Sequence, residues 1–254
     1  MSEAELFPII AWSWLGVGLL SFALLLAMPA PYGRHLRQGW GPTVSRTVGW
    51  IAMELPALLV VVALFAWGDR QTNPVALVFV ALWSVHYTNR SLVYPLRLRG
   101  GQHRMPALIA GFAVLHNLVN GYLQGRYLFL LGPIVPVAWL VDPRFVVGLV
   151  LFATGMAINL WADAHLRRLR RERPGRDYVI PRAGLFRWVA CPNYLGEIVE
   201  WWGWALLTWS LPGLVFAVWT MANLVPRALA HRRWYRGHFP DYPPRRRALL
   251  PFII

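Results

Sequence analysis

Seven apolar stretches, each close to the ~20 residues that cross the hydrocarbon core of a bilayer, occupy positions 8–30, 48–67, 75–95, 106–122, 145–164, 195–211 and 212–230. Backbone polar groups in lipid have no water to bond, so spans of this kind must close their hydrogen bonds internally as helices. The predicted fold is therefore all-α: a polytopic integral membrane protein with seven transmembrane helices in one membrane domain, 1–254. Charged residues make up only 14% of the chain and hydrophobic ones 57%, which excludes an ordinary soluble domain. Span four is followed by a second apolar run, Leu128 to Val141, broken by Gly132, Pro133 and Pro136. The 124–144 segment is accordingly read as a re-entrant or lumenal loop. Spans six and seven are separated only by Ser210-Leu211-Pro212-Gly213, a turn signal suited to a tight helical hairpin. The opening Met-Ser-Glu-Ala-Glu lacks a basic leader region, so span one is expected to be retained. A lone Cys191 leaves no internal disulfide to form.

All 25 basic residues are arginine. They cluster after span one (Arg34, Arg37, Arg46), span three (Arg97, Arg99, Arg104), span five (Arg167 through Arg187) and span seven (Arg232 through Arg247). The alternate loops carry only Arg70, Arg126 and Arg144. An excess of arginine marks the cytoplasmic side, so the N-terminus is placed outside and the C-terminus in the cytoplasm. Arg245 to Arg247 fit an anionic-lipid anchor as well as a ligand contact. The His165–Trp188 loop, interleaved with Pro174, Gly175, Tyr178, Pro181 and Gly184, reads instead as a structured loop. An arginine-rich concavity beside intramembrane acids suits a polyanion such as a nucleotide. Nucleic acid is not an expected partner, because no separate cytoplasmic domain is left to bind it.

Ionisable residues inside the spans cost roughly 2.5–3.5 kcal/mol each on insertion scales and are usually kept for function. Asn193, Glu197 and Glu200 lie at i, i+4 and i+7 along one helical stripe. Glu54 sits in span two ahead of Pro56, span three carries His86, Tyr87, Asn89, Arg90 and Tyr94, and span five ends with Asn159 and Asp163, extended by Arg167 and Arg170. Span seven ends with Arg227, His231 and Tyr235. One polar pocket opening to the cytoplasm would satisfy these groups. The bland readings are that Arg90 pairs with a carboxylate, that Glu200 packs helices, and that His86 and His116 are core or interfacial histidines. No His/Cys/Asp spacing resembles a metal site.

The segments Gly155–Asp163, Leu166–Arg170, Tyr178–Pro181, Gly184–Phe186, Asn193–Trp201 and His231–Ile254 resemble the C-terminal domain of steroid 5α-reductases. Upstream, Tyr32–His35, Glu54–Pro56, His86-Tyr87 with Arg90, Val93-Tyr94 and Asn120–Gly125 extend the resemblance over nearly the whole chain. It implies an NADPH-dependent oxidoreductase that reduces the 4,5 double bond of 3-oxo-Δ4 steroids. Helices 1–3 (1–105) would contribute substrate-activating residues, and 106–254 would bind NADPH.

Enone reduction delivers hydride to the β-carbon while negative charge develops on the carbonyl oxygen, so a donor must stand at that oxygen. The resemblance implies Tyr87 as that donor and Glu54 as its partner. Whether Glu54 hydrogen-bonds as a neutral acid or polarises the Tyr87 hydroxyl as a carboxylate stays open. So does the source of the proton added at C4. The resemblance also places Tyr32, Asn159, Asp163, Arg167, Arg170, Tyr178, Asn193, Glu197, Arg227, His231 and Tyr235 around NADPH.

No G-x-G-x-x-G follows a strand, so nucleotide binding must be of a non-Rossmann kind. Abundant arginine favours the additional 2′-phosphate of NADPH. A hydrophobic steroid or related enone lipid would enter from the bilayer, with Trp12, Phe112, Leu118 and Leu224 as candidate lining. A monomer in contact with membrane lipids is expected. Its arginine-only composition points to a bacterial inner membrane or an equivalent, which is the endoplasmic reticulum for eukaryotic relatives. The alternative is an S-adenosylmethionine-dependent methyltransferase of the isoprenylcysteine or phospholipid type, whose Pro-Asn-Tyr-x-Gly-like turn is matched by Pro192–Gly196. That class has no need of Glu54 and Tyr87.

Overall fold

A computed structural model describes residues 1–98, 104–172 and 178–253. Arg99, Arg173, Pro174, Gly175, Arg176 and Ile254, used in the sequence reading, lie outside the described residues. The long helices are α1 (Glu3–Ala27), α2 (Arg46–Trp67), α3 (Pro74–Thr88), α5 (Ala107–Arg126), α6 (Pro143–Glu172), α7 (Pro192–Thr208) and α8 (Leu211–His238). A π-turn, Asn89–Val93, joins α3 to the short α4 (Tyr94–Leu96), so helical backbone runs from Pro74 to Leu96.

Local chemistry sets the ends of these helices. The Asn73 side chain accepts hydrogen bonds from the backbone N–H groups of Val75 and Ala76 at 2.8 and 3.1 Å, with Pro74 at the first helical position of α3. Ser210 caps α8 by accepting from Gly213 N at 3.1 Å, and it forms the expected hairpin turn. Among the described residues, four helices, α1, α2, α6 and α8, are long and apolar enough to cross a membrane. The chain is thus a mostly helical protein of membrane-spanning character.

Two features depart from the sequence reading. The all-α expectation missed a two-stranded antiparallel ribbon, β1 (Thr43–Ser45) paired with β2 (Arg104–Pro106). Its cause is local: the loops after α1 and α4 carry backbone groups that need partners, and Ala107 N also donates to Pro42 O at 2.8 Å. Secondly, α5 does not stop at 122. It continues to Arg126 and through a π-turn, Tyr127–Leu131, before Gly132 and Pro133 end it. The buried Arg70 guanidinium gathers this turn by donating to the carbonyls of Leu128 (2.8 Å), Leu130 (3.1 Å), Gly132 (2.5 Å) and Pro133 (3.2 Å). A short 3₁₀ turn, Val137–Val141, follows.

The chain forms two compact units, Met1–Ser13 with Ala30–Phe145, and Trp14–Pro29 with Val146–Ile254. In the first, α2 packs closely on α5, and a Cβ added at Gly121 or Gly125 would press on Val60 or Leu64. Trp83 on α3 donates its indole N–H to Ala57 O at 2.9 Å.

In the second unit, α6 and α7 meet backbone to backbone. A Cβ at Gly155 would lie 2.3 Å from Glu200 N and 2.5 Å from Gly196 O, and one at Gly148 would lie 2.8 Å from Gly203 O. Small residues are what allow such an approach in membrane helices. The C-terminal tail docks on the entry to α7: Ala190 N donates to Arg247 O at 2.8 Å and Cys191 N to Ala248 O at 3.1 Å.

Candidate functional site

The polar residues of the second unit come together where α6 and α7 are closest. Glycine contact brings Gly196 against Asn159 N, so the polar ends of both helices are in register. Asn159 and Asp163, one turn apart on α6, face Asn193 and Glu197, one turn apart on α7. Asn159 Nδ2 donates to Asn193 O at 3.0 Å and to Glu197 Oε2 at 3.3 Å, while Asn193 Nδ2 donates to Asp163 Oδ1 at 3.0 Å. Asn159 and Asp163 are buried. Glu200, on the same stripe of α7, is fully buried, and its backbone meets α6 at Gly155.

A second set forms between α7 and α8. Arg227 Nε donates to Tyr194 Oη at 3.1 Å, and that hydroxyl lies 3.2 Å from His231 Nε2. Tyr194 thus ties together two expected cofactor residues, although the sequence reading did not single it out. Its position between Asn193 and the helical Glu197 was the available signal.

Tyr235, one turn after His231, is buried and donates to Val179 O at 3.4 Å. Tyr178 packs edge-on against Trp234 at 5.0 Å, with the Arg170 guanidinium 6.0 Å from its ring. Asn159, Asp163, Asn193 and Glu197 therefore form one network, and Arg227, His231 and Tyr194 another. Arg167 is half-buried at the basic end of α6.

Tail arginines differ among themselves. Arg245 and Arg247 are exposed, but Arg246 is buried, with its guanidinium 5.0 Å above the Tyr242 ring and its carbonyl accepting from Arg232 Nε at 2.7 Å. The lipid-anchor reading therefore fails for Arg246, whose side chain serves packing. Burial pushes the Tyr242 hydroxyl up to about 12 and lowers Arg246 from its ordinary value. Tyr242 also stacks on Tyr235 at 5.3 Å, linking the tail to α8.

In the first unit, Glu54 on α2 lies 3.7 Å from Arg90 Nε and accepts from Asn117 Nδ2 at 3.3 Å. Asn117, on α5, also donates to Met53 O at 2.6 Å. It is a buried residue that sequence reasoning passed over, since a lone amide beside His116 gave no spacing to notice. The Arg90 guanidinium stands 4.7 Å from the Trp50 ring and 5.5 Å from the Tyr94 ring, a cation–π enclosure that fixes its approach to Glu54. Arg90 accordingly pairs with a carboxylate, as its simpler reading held.

Tyr87 is buried against Trp83 (4.7 Å) and His86 (4.9 Å), and its carbonyl accepts from Ser91 Oγ at 2.6 Å within the π-turn. π-turns of this kind often accompany functional residues. Tyr32 packs near Met53, Met105 and Ala110. Of the candidate substrate residues, Trp12, Phe112 and Leu118 are exposed and Leu224 is buried. Among the described residues no group of three His, Cys, Asp or Glu side chains is placed to hold a metal ion.

A profile of the 3-oxo-5-alpha-steroid 4-dehydrogenase family matches residues 103–254. The chain is 44% identical over 245 residues to the steroid 5-alpha-reductase DET2 of Arabidopsis thaliana, covering 91% of this chain and 90% of the relative. The tomato (Solanum lycopersicum) protein of the same name is 42% identical, covering 99% and 98%. Human 3-oxo-5-alpha-steroid 4-dehydrogenase 1 is 38% identical over 257 residues, covering 100% and 98%. These matches decide between the reductase and methyltransferase readings, since they run through both units and include the stretches holding Glu54 and Tyr87. The chain is an oxidoreductase and belongs to the 3-oxo-5-alpha-steroid 4-dehydrogenase (steroid 5α-reductase) family.

Proposed function

We propose that this chain reduces the 4,5 double bond of 3-oxo-Δ4 steroids, with NADPH as reductant. The observation that carries the reading is the buried network of Asn159, Asp163, Asn193 and Glu197 between two apolar helices, a costly polar cluster in a chain whose relatives are named for steroid reduction. The donor set fits a dinucleotide. Asn159, Asp163, Asn193 and Glu197 offer both donors and acceptors for amide and ribose groups, while Arg227, His231 and Tyr235 on α8, with Arg167, Arg170 and Tyr178 from the basic loop and Tyr32, suit the phosphates and adenosine.

NADPH, when bound, supplies a hydride. The chain's own residues would hold the steroid C3 carbonyl so that C5 accepts that hydride while the 4,5 π electrons move toward O3. Tyr87 donates a hydrogen bond to the developing enolate oxygen, and a proton then adds at C4. Glu54 orients and polarises the Tyr87 hydroxyl. The guanidinium of Arg90 and the amide of Asn117 stand beside Glu54 and hold its carboxyl group in place. The apolar residues Trp12, Phe112, Leu118 and Leu224 are proposed to meet a substrate arriving from lipid.

The reading includes seven crossings, an outer N-terminus, a cytoplasmic C-terminus and a monomeric enzyme. Helices 1–3 would serve substrate activation, and the rest of the chain the cofactor. A bacterial inner membrane rests on arginine composition alone, the relatives named above being plant and human. The test is turnover of a 3-oxo-Δ4 steroid by purified protein with NADPH, with product stereochemistry read at C5, beside an S-adenosylmethionine binding assay. A 5α-reduced product supports the reading; S-adenosylmethionine binding without reduction overturns it.

A further inference from the structure

A cavity of about 600 Å³ opens on the surface of the second unit, between α6 and the 184–188 turn. Its walls are Ala157 and Trp161 of α6 facing Leu185 and Trp188. Trp161 and Trp188 are 40% and 52% exposed, which marks an apolar surface left open. Gly184, with φ +51°, is part of the lining, and a Cβ there would fall 2.5 Å from the Trp161 ring. Arg187 is the single charged residue of the lining. Its neighbour Arg182 is tied to Asp241 at 2.6 Å, whereas among the described residues no carboxylate pairs with Arg187.

We infer that this groove holds one anionic phospholipid of the surrounding bilayer, with an acyl chain along Ala157, Trp161 and Leu185 and the phosphate on Arg187. Charge and position select this occupant. α6 is long and apolar enough to cross the membrane and ends in a basic last turn, and Trp161 lies six residues before Arg167, where the arginine run of this helix begins. Tryptophan is enriched at that depth, where headgroups meet acyl chains. A guanidinium binds a phosphate bidentately, and a zwitterionic headgroup presents the same phosphate with a competing positive charge. The inference rests on α6 spanning the bilayer and is independent of the reaction catalysed.

The test is photolabelling of the protein, reconstituted in nanodiscs, with a phosphatidylglycerol carrying a diazirine in its acyl chain, compared with the matching phosphatidylcholine. Labelling concentrated on residues 157–161 and 184–188, favouring phosphatidylglycerol and falling about tenfold in Arg187→Gln, is the expected result. Equal labelling by both lipids, or label spread over the basic tail at Arg245 and Arg247, overturns the site. Displacement of the label by free glycerol phosphate would assign Arg187 to a soluble anion and also overturns it. Steroid turnover by Arg187→Gln in phosphatidylcholine nanodiscs should match wild type. Loss of turnover by both proteins would count against the proposed reaction and leave the labelling result standing.

Discussion

Asn193 reaches from the first turn of α7 to Asp163 on α6 across 3.0 Å, while its own carbonyl accepts from Asn159, so one residue engages both polar positions of the facing helix. Removing that side chain leaves a buried carboxylate short of a donor, at a cost of about 1–3 kcal/mol. Asn193→Ala is expected to weaken NADPH binding by about tenfold or more, the factor that a 1.4 kcal/mol loss produces. Isothermal titration with NADPH checks this; an unchanged affinity would remove Asn193 from the cofactor site.

Tyr194 joins Arg227 and His231 through one hydroxyl. In Tyr194→Phe the ring and its packing stay while the bridge is lost. The KM for NADPH should rise severalfold with kcat for a 3-oxo-Δ4 steroid little changed, since the interaction lost would hold cofactor equally in ground and transition states. A fall in kcat at constant KM would instead place Tyr194 at the reacting atoms.

Glu54 and Asn117 can be separated by kinetics. Glu54→Gln keeps the shape of the α2 site but removes the charge facing Arg90, so folding and NADPH affinity should persist while enone reduction slows by about 10²-fold or more, the usual size of a lost acid–base contribution. Asn117→Leu leaves the carboxylate in place without its amide donor and should lower kcat by less. Wild-type turnover by Glu54→Gln would show that the carboxylate has no part in the reaction.

Much of this architecture was legible because the bilayer simplifies the reading: length and apolarity alone located all seven long helices, and i, i+4 spacing put Asn159 with Asp163 and Asn193 with Glu197 on common faces before their contact was visible. What stayed hidden depends on tertiary approach. Gly155 and Gly196 lie 41 positions apart, and nothing in either helix alone says that they touch. Asn117 gave no periodic signal, and the β1–β2 ribbon rests on backbone pairing between two loops separated by α2, α3 and α4. α5 runs past 122 through Gly125, whose missing side chain makes room for Leu64.

The glycine contact between α6 and α7 invites a direct test. In Gly155→Ala the new methyl would stand 2.3 Å from Glu200 N and 2.7 Å from Glu200 Cα, both backbone atoms that cannot swing aside. Overpacking of this kind costs about 1–3 kcal/mol, and separating the helices would also pull Asn159 from Glu197. Lower thermal stability in detergent together with weaker NADPH binding is expected. Gly111→Ala, where nothing lies within 4 Å of the added Cβ, serves as the control and should be neutral or slightly stabilising.

Docking of the C-terminal tail should be sensitive to alkali. The Tyr242 hydroxyl is pushed up to about 12 by burial, so its folded value lies above the ordinary value near 10. Between these values the folded chain holds a proton that the unfolded chain has released, and stability falls as pH rises. The contribution is complete below about pH 10 and is lost progressively toward about 12. Ultraviolet titration of tyrosinate should show a late-titrating group that Tyr242→Phe removes, and the variant's stability should decline less steeply over the same interval. Tyr242 stacks on Tyr235, one helical turn beyond His231, so undocking the tail should also weaken NADPH binding in that interval. Loss of affinity with the same midpoint in wild type and Tyr242→Phe would trace the alkaline sensitivity to another group.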